Sequence, residues 1–263
     1  MSEARSAAST VSLTSLGAGL PRPLTPRGAA ARVAFTISGG VKPPLQDYYD
    51  AMFAALGSQH WWPASKSGGP FEVIVGAILT QSTAWTNVER AIANLRRARL
   101  LTPRAIERLS LARLARLVRP SGYFNQKARK LKAFVCFLRR EFGGSLARMF
   151  RTPTAELRER LLAVHGIGQE TADSILLYAG NHPVFVVDAY TKRVLTRHSL
   201  IGQKAGYEEM RALFETNLPR DTQLYNEFHA LLVNVGKNWC RPREPQCETC
   251  PLAMFLDDGA RSC

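Results

Sequence analysis

The segment from Leu161 to Arg197, LLAVHGIGQETADSILLYAGNHPVFVVDAYTKRVLTR, constrains the fold more than any other part of the chain. Its pattern predicts an amphipathic helix that ends near Val164. A tight turn follows at Gly166-Ile167-Gly168, and a second helix then carries Ala172, Ile175, Leu176 and Ala179 on its apolar face. Glycine permits a positive φ and lets the backbone approach a ligand closely. The turn also opens a helix, whose free N–H groups and positive dipole end attract phosphate. A lone Gly-x-Gly would read as an ordinary helix–helix turn. Here Asp188 follows Gly166 by 22 residues, behind the apolar stretch Val184 to Val187, and starts a further helix from Ala189 to His198. Asp188 suits a helix N-cap. It equally suits a carboxylate that stabilises a cationic sugar as a glycosidic bond breaks, or that orients an attacking water or amine.

The remaining chain also reads as helix. Phe71, Ile74, Val75, Ile78 and Leu79 recur at i, i+3, i+4, i+7 and i+8, one face of a helix. Thr102-Pro103 and Thr152-Pro153 each predict an N-cap with proline at the first helical position. Gly143-Gly144 ends a long helix that begins near Asn125, and Cys136 within it reads as a buried core cysteine. No series of alternating strands occurs, so the expected fold class is all-α.

Charge narrows the partner. Lys and Arg number 35 against 21 Asp and Glu, a net +14, and the pI is about 10.1. Such a balance points to a polyanion, and nucleic acid is the usual one. Residues 1–43 are rich in Ala, Ser, Gly, Pro and Arg, with Glu3 as the only acid, and read as a flexible, weakly basic tail. An organelle transit peptide has similar composition. The longest apolar stretches, such as Val73 to Leu79, fall far short of the roughly 20 residues that cross a bilayer. No membrane partner is expected, and the expected location is cytoplasmic, on nucleoid DNA. Of five cysteines, Cys240, Cys247, Cys250 and Cys263 crowd together. Cys240-x6-Cys247-x2-Cys250 is a spacing at which thiolates hold zinc or an iron–sulfur cluster.

Together, Gly166-Ile167-Gly168, Asp188 and the C-terminal cysteines resemble the endonuclease III family of DNA glycosylases, within the helix-hairpin-helix superfamily, from about Leu45 to Pro251. The resemblance implies two helical lobes with a DNA cleft between them. A six-helix barrel lobe with the helix-hairpin-helix would span 70–185, and an iron–sulfur cluster lobe would combine 44–69 with 186–263. It selects a [4Fe–4S] cluster on Cys240, Cys247 and Cys250. The family's fourth cysteine falls where this chain has Leu256. Either Cys263 closes the cluster over a longer loop, whose extra closure entropy is small, or three cysteines hold a more labile one. The implied partner is double-stranded DNA with a damaged base or an abasic site, bound by a monomer.

The resemblance also assigns roles to single residues. Asp188 falls on the family's catalytic aspartate. Gln81 in LTQST resembles the side chain that plugs the gap left by a flipped base, and Tyr123 in SGYFNQKA the wedge on the opposite strand. His165 and Thr171 join Gly166, Ile167 and Gly168 in the DNA-binding hairpin. Bifunctional members carry a lysine two residues after the second hairpin glycine, which attacks the sugar to form a Schiff base. Here that position is Glu170. GIGQETADSILLY is similar to the alkylpurine branch, which lacks the lysine. Lys192, one helical turn after Asp188, is expected to contact phosphate. The expectation is a monofunctional DNA glycosylase with Asp188 and Glu170 in its catalytic site. A lesion-binding protein without turnover and a glycosylase/AP lyase using Lys192 are the alternatives.

Overall fold

The computed structural model describes residues 45–59 and 69–256. The expected tail at 1–43 and the fourth cluster candidate, Cys263, lie outside the described residues. Among the described residues there are twelve α-helices and no strand, as an all-α fold requires. No described helix is long and apolar enough to cross a membrane.

The helices build two separate cores. Residues between Phe71 and Val184 form one. It gathers α2 (Gly69–Leu79), α3 (Trp85–Arg97), α4 (Pro103–Arg108), α5 (Leu111–Leu117), α6 (Phe124–Phe142), α7 (Leu146–Met149), α8 (Thr154–Leu162) and α9 (Gln169–Ser174). The other joins α1 (Leu45–Leu56) to α10 (Ala189–Arg197), α11 (Tyr207–Asn217) and α12 (Thr222–Asn238). Phe185 seeds this second core, stacked on Phe214 at 3.7 Å and set edge-on to Phe228.

Local chemistry explains the helix ends. The Thr102 hydroxyl accepts from the Ala105 N–H, with Pro103 in the first turn, as predicted. The parallel expectation at Thr152 fails: α8 starts one residue later, with Pro153 at the cap and no side-chain cap bond. Proline at the cap supplies neither an N–H nor a polar side chain, so α8 relies on its packing. The α6 terminus is as expected, with Gly143 left-handed at φ 62°.

Two burial expectations need correction. The apolar face predicted for α2 exists, but every residue from Phe71 to Leu79 is buried, Glu72 included. A helix surrounded on all sides is central rather than amphipathic. Arg96 donates to both Glu72 carboxylate oxygens, at 2.7 and 2.6 Å, which offsets the burial of that charge. Cys136 is exposed, not buried. Leu131, Phe134, Val135 and Leu138 make the buried face of α6, and Cys136 falls outside that stripe.

Candidate active site

The hairpin is a turn whose first position strongly favours glycine. Gly166 has φ +80°, and a Cβ built there would lie 2.4 Å from Lys130 Cγ. Backbone conformation therefore strains any side chain here, and a Cβ would have to displace Lys130 as well. Gly168 has ordinary extended backbone and caps α9, its carbonyl accepting from the Ala172 N–H at 2.8 Å. Ile167 and Thr171 are buried, so they shape the turn from within, while His165 is exposed beside it.

Gln81 is tied to this turn. Its amide donates to the Gly166 carbonyl at 3.3 Å and to Thr171 Oγ1 at 3.1 Å, and Lys130 Nζ donates to its other end. Tyr123 is prepared differently. It is 68% exposed, the most exposed large aromatic described, and it adopts a left-handed backbone at φ 41°. Bulky side chains avoid that region, so the surroundings must hold it there. Lys127 does so from inside, its buried ammonium donating to the Ser121 carbonyl at 2.5 Å. Burial, and secondarily Lys130, lower its pKa to about 8.

A cleft of about 1230 Å³ opens between the two cores, with Glu170, Tyr178, Asp188 and His229 on its wall and Trp85 at its side. Asp188 is the N-cap of α10, and its Oδ1 accepts from the Thr191 N–H at 2.8 Å. Its Oδ2 lies 3.6 Å from His229 Nε2. The Tyr178 hydroxyl is 2.5 Å from His229 Nδ1. Tyr178 reaches inward from the π-helical stretch Ile175–Ala179 that continues α9, a distortion common at functional sites. Burial alone would lift the Asp188 carboxyl, but His229 and the Thr191 cap hold it below its ordinary value. Glu170 shifts the other way: burial first, then the Asp188 charge, raise its carboxyl, with His229 opposing. Glu170 remains accessible, as a residue on a cleft wall can be while protein encloses its other sides.

The structure thus brings Glu170 and Asp188 to one cleft, at the foot of the hairpin. It leaves Lys192 exposed on α10 and absent from the cleft wall, where the lysine is Lys237 instead. Sequence reasoning missed Lys127, Lys130, Tyr178 and His229. The two lysines hold turns through contacts with glycine and backbone, and His229 lies 41 residues from Asp188 with no motif to join them.

The cysteines meet at a second place. Cys240, Cys247 and Cys250 border one small cavity together with Arg197, His198, Trp239 and Leu256. Arg197 donates to Cys240 Sγ at 3.4 Å and the Leu252 N–H to Cys250 Sγ at 3.5 Å. Burial pushes the free Cys250 thiol up to about 11. Among the described residues no three such groups stand close enough together to hold a metal ion. Two of the three sulfurs accept N–H groups, the kind of contact that stabilises thiolate ligands of an iron–sulfur cluster. Leu256 borders the cavity but has no sulfur to offer.

An all-helical chain with a glycine hairpin beside a carboxylate cleft belongs to a recognisable class. The model of the HhH-GPD superfamily of base excision DNA repair proteins matches residues 75–220, over half of the chain, and the protein belongs to that superfamily. It is 46% identical over 213 residues to a provisionally assigned DNA repair glycosylase of Methanocaldococcus jannaschii, covering 80% of this chain and 91% of that one. Endonuclease III of Thermotoga maritima is 29% identical over 187 residues, covering 71% and 82%. Among solved structures, the Helicobacter pylori 3-methyladenine DNA glycosylase MagIII, bound to 1,N6-ethenoadenine, matches with a TM-score of 0.62 and 30% identity, covering 73% of this chain and 96% of that one. The protein is a base-excision DNA glycosylase of the endonuclease III type.

Proposed function

We propose that this glycosylase is monofunctional: it flips a damaged purine into the cleft and hydrolyses the N-glycosidic bond with water. The carrying observation is the pairing of Asp188, held as a carboxylate on the cleft wall, with Glu170 at the Schiff-base position. Asp188 stabilises the cationic sugar and takes a proton from the attacking water. Glu170 has no amine and cannot form an imine. The likeness to MagIII supports a purine as the flipped base, and Trp85 and Tyr178 offer aromatic walls for it.

DNA is gripped by the Gly166–Gly168 hairpin through its backbone, with His165 and Lys192 exposed for phosphate. Tyr123 is the wedge, and Gln81 moves from its hairpin bonds to fill the vacated stack. The barrel lobe comprises 70–185, and 44–69 with 186–263 the cluster lobe. Cys240, Cys247, Cys250 and Cys263 would hold a [4Fe–4S] cluster, which orders the loop bearing Arg241 and Arg243. Cys263→Ser is expected to lower iron and sulfide per chain, whereas Cys136→Ser leaves both unchanged. Unchanged content in Cys263→Ser would assign the cluster to three cysteines.

Borohydride trapping tests the hydrolytic assignment. On duplexes with alkylated, oxidised or deaminated bases, wild type should release base without a covalent cross-link. A cross-link would replace this reading with a glycosylase/lyase, and its loss in Lys192→Ala or Lys237→Ala would identify the amine. Tight binding to an abasic duplex with no base release from any lesion would leave a lesion-binding protein.

A further inference from the structure

Resting on the glycosylase reading above, we propose that Glu170 is the general acid that protonates the departing base, so that the substrate class includes uncharged purine lesions. Among the described residues four carboxylates line the cleft, Glu72, Glu89, Glu170 and Asp188, and Arg96 ties up Glu72. Glu170 lies in the first turn of α9 and Asp188 caps α10, and both stand on the wall of one cleft. Their surroundings push them apart, Glu170 toward its acid form and Asp188 toward its carboxylate. A pair displaced in this way divides the work into proton donor and base.

The groups around Glu170 support the assignment. Asp188, His229, Tyr178 and Tyr207 all act on it or feel its charge. Both tyrosine hydroxyls are held well above their ordinary values, by burial first and then by nearby carboxylates, and stay neutral. Each is already engaged, Tyr178 with His229 and Tyr207 with Asp173. Of the cleft carboxylates, Glu72 is held by Arg96 and Asp188 by its cap, and Glu170 is the one whose charge Asp188, Tyr178 and Tyr207 all sense.

The step balances. The bond from sugar C1′ to the base nitrogen breaks, and its electron pair goes to the purine. The Glu170 proton goes to a ring nitrogen of that purine. The water oxygen bonds to C1′, and its proton goes to Asp188. Free base and an abasic site leave; exchange with solvent restores both carboxyls. A purine alkylated at N3 or N7 is already cationic and departs without this proton. An uncharged purine needs it, because its anion is a poor leaving group. The exchange of lysine for glutamate would then replace a nucleophile with an acid rather than simply delete a function.

The test measures single-turnover base release by wild type and Glu170→Gln. One duplex carries N7-methylguanine, whose base is cationic. Two others carry 1,N6-ethenoadenine or hypoxanthine, which are uncharged. On the uncharged bases the variant should lose on the order of 100-fold or more, the scale of a general acid. It should also lose the decline in wild-type rate as pH rises through the Glu170 pKa. On N7-methylguanine its loss should be at least about tenfold smaller than on the uncharged bases, and a circular dichroism melting curve matching wild type verifies that it is folded. Equal losses on both classes would overturn the proposal. So would a wild type that releases N7-methylguanine and neither uncharged base. Release of none of the three by wild type would instead remove the glycosylase reading itself.

Discussion

Asp188→Asn is expected to lower base release on the order of 10³-fold while leaving duplex affinity and α10 intact. Asparagine caps a helix about as well as aspartate, so the bond to the Thr191 N–H survives and the hairpin is untouched. What disappears is the negative charge. It can no longer stabilise the sugar cation, and the amide cannot accept a proton from water. Affinity for a lesion duplex should hold, since the hairpin contacts are unchanged and the lost charge was not one that attracts phosphate. The pH dependence has a definite sign. His229 and the cap hold the Asp188 carboxyl below its ordinary value against the effect of burial. Its ionised form is therefore complete through the neutral range and declines only as pH falls through that lowered value. Single-turnover rates with fluorescence anisotropy check both halves. A variant within tenfold of wild type would move the chemistry to another group.

The turns, caps and buried positions were legible in the sequence to different depths. The hairpin and Asp188 could be read because each is local: a positive φ favours glycine, and a cap demands a short polar side chain a fixed step before its helix. The Thr102 cap was legible for the same reason. The central position of α2 was harder. Periodicity marks one buried face, but Val73, Gly76 and Ala77 are buried by neighbours from other parts of the chain. Cys136 was misplaced although the signal existed, since Leu131, Phe134, Val135 and Leu138 define a stripe that excludes it. His229 and Tyr178 left no trace. Their use depends on α12 passing behind Asp188 and on the π-helical stretch that re-aims Tyr178, and neither has a sequence period of its own.

The largest stability effect should come from Asp173, which also carried no signal. It is fully buried in α9, where Arg158 donates to both its oxygens at 2.7 and 3.1 Å and the Tyr207 hydroxyl donates at 2.8 Å. Burial still leaves its carboxyl above the ordinary value, so the charge is held at some cost. The Tyr207 oxygen in turn accepts from the Val187 N–H at 3.4 Å, one residue before Asp188. This chain of bonds therefore couples the hairpin helix and α11 to the backbone that presents the proposed catalytic carboxylate. Asp173→Ala strands the Arg158 guanidinium, whose side chain is only 13% exposed and retains Glu208 as its remaining partner. Breaking one side of a buried pair costs about 3 kcal/mol or more. In a protein of this size that corresponds to a melting temperature lower by about 6–12 °C. The double variant Arg158→Met/Asp173→Leu should recover most of the stability, because no unpaired charge remains to bury. It should not recover activity fully, since Tyr207 has lost the acceptor that steadies it beneath Val187. Melting curves for the single and double variants, read beside base release per folded molecule, separate the two effects. Full activity in the double variant would show that Asp173 serves stability alone.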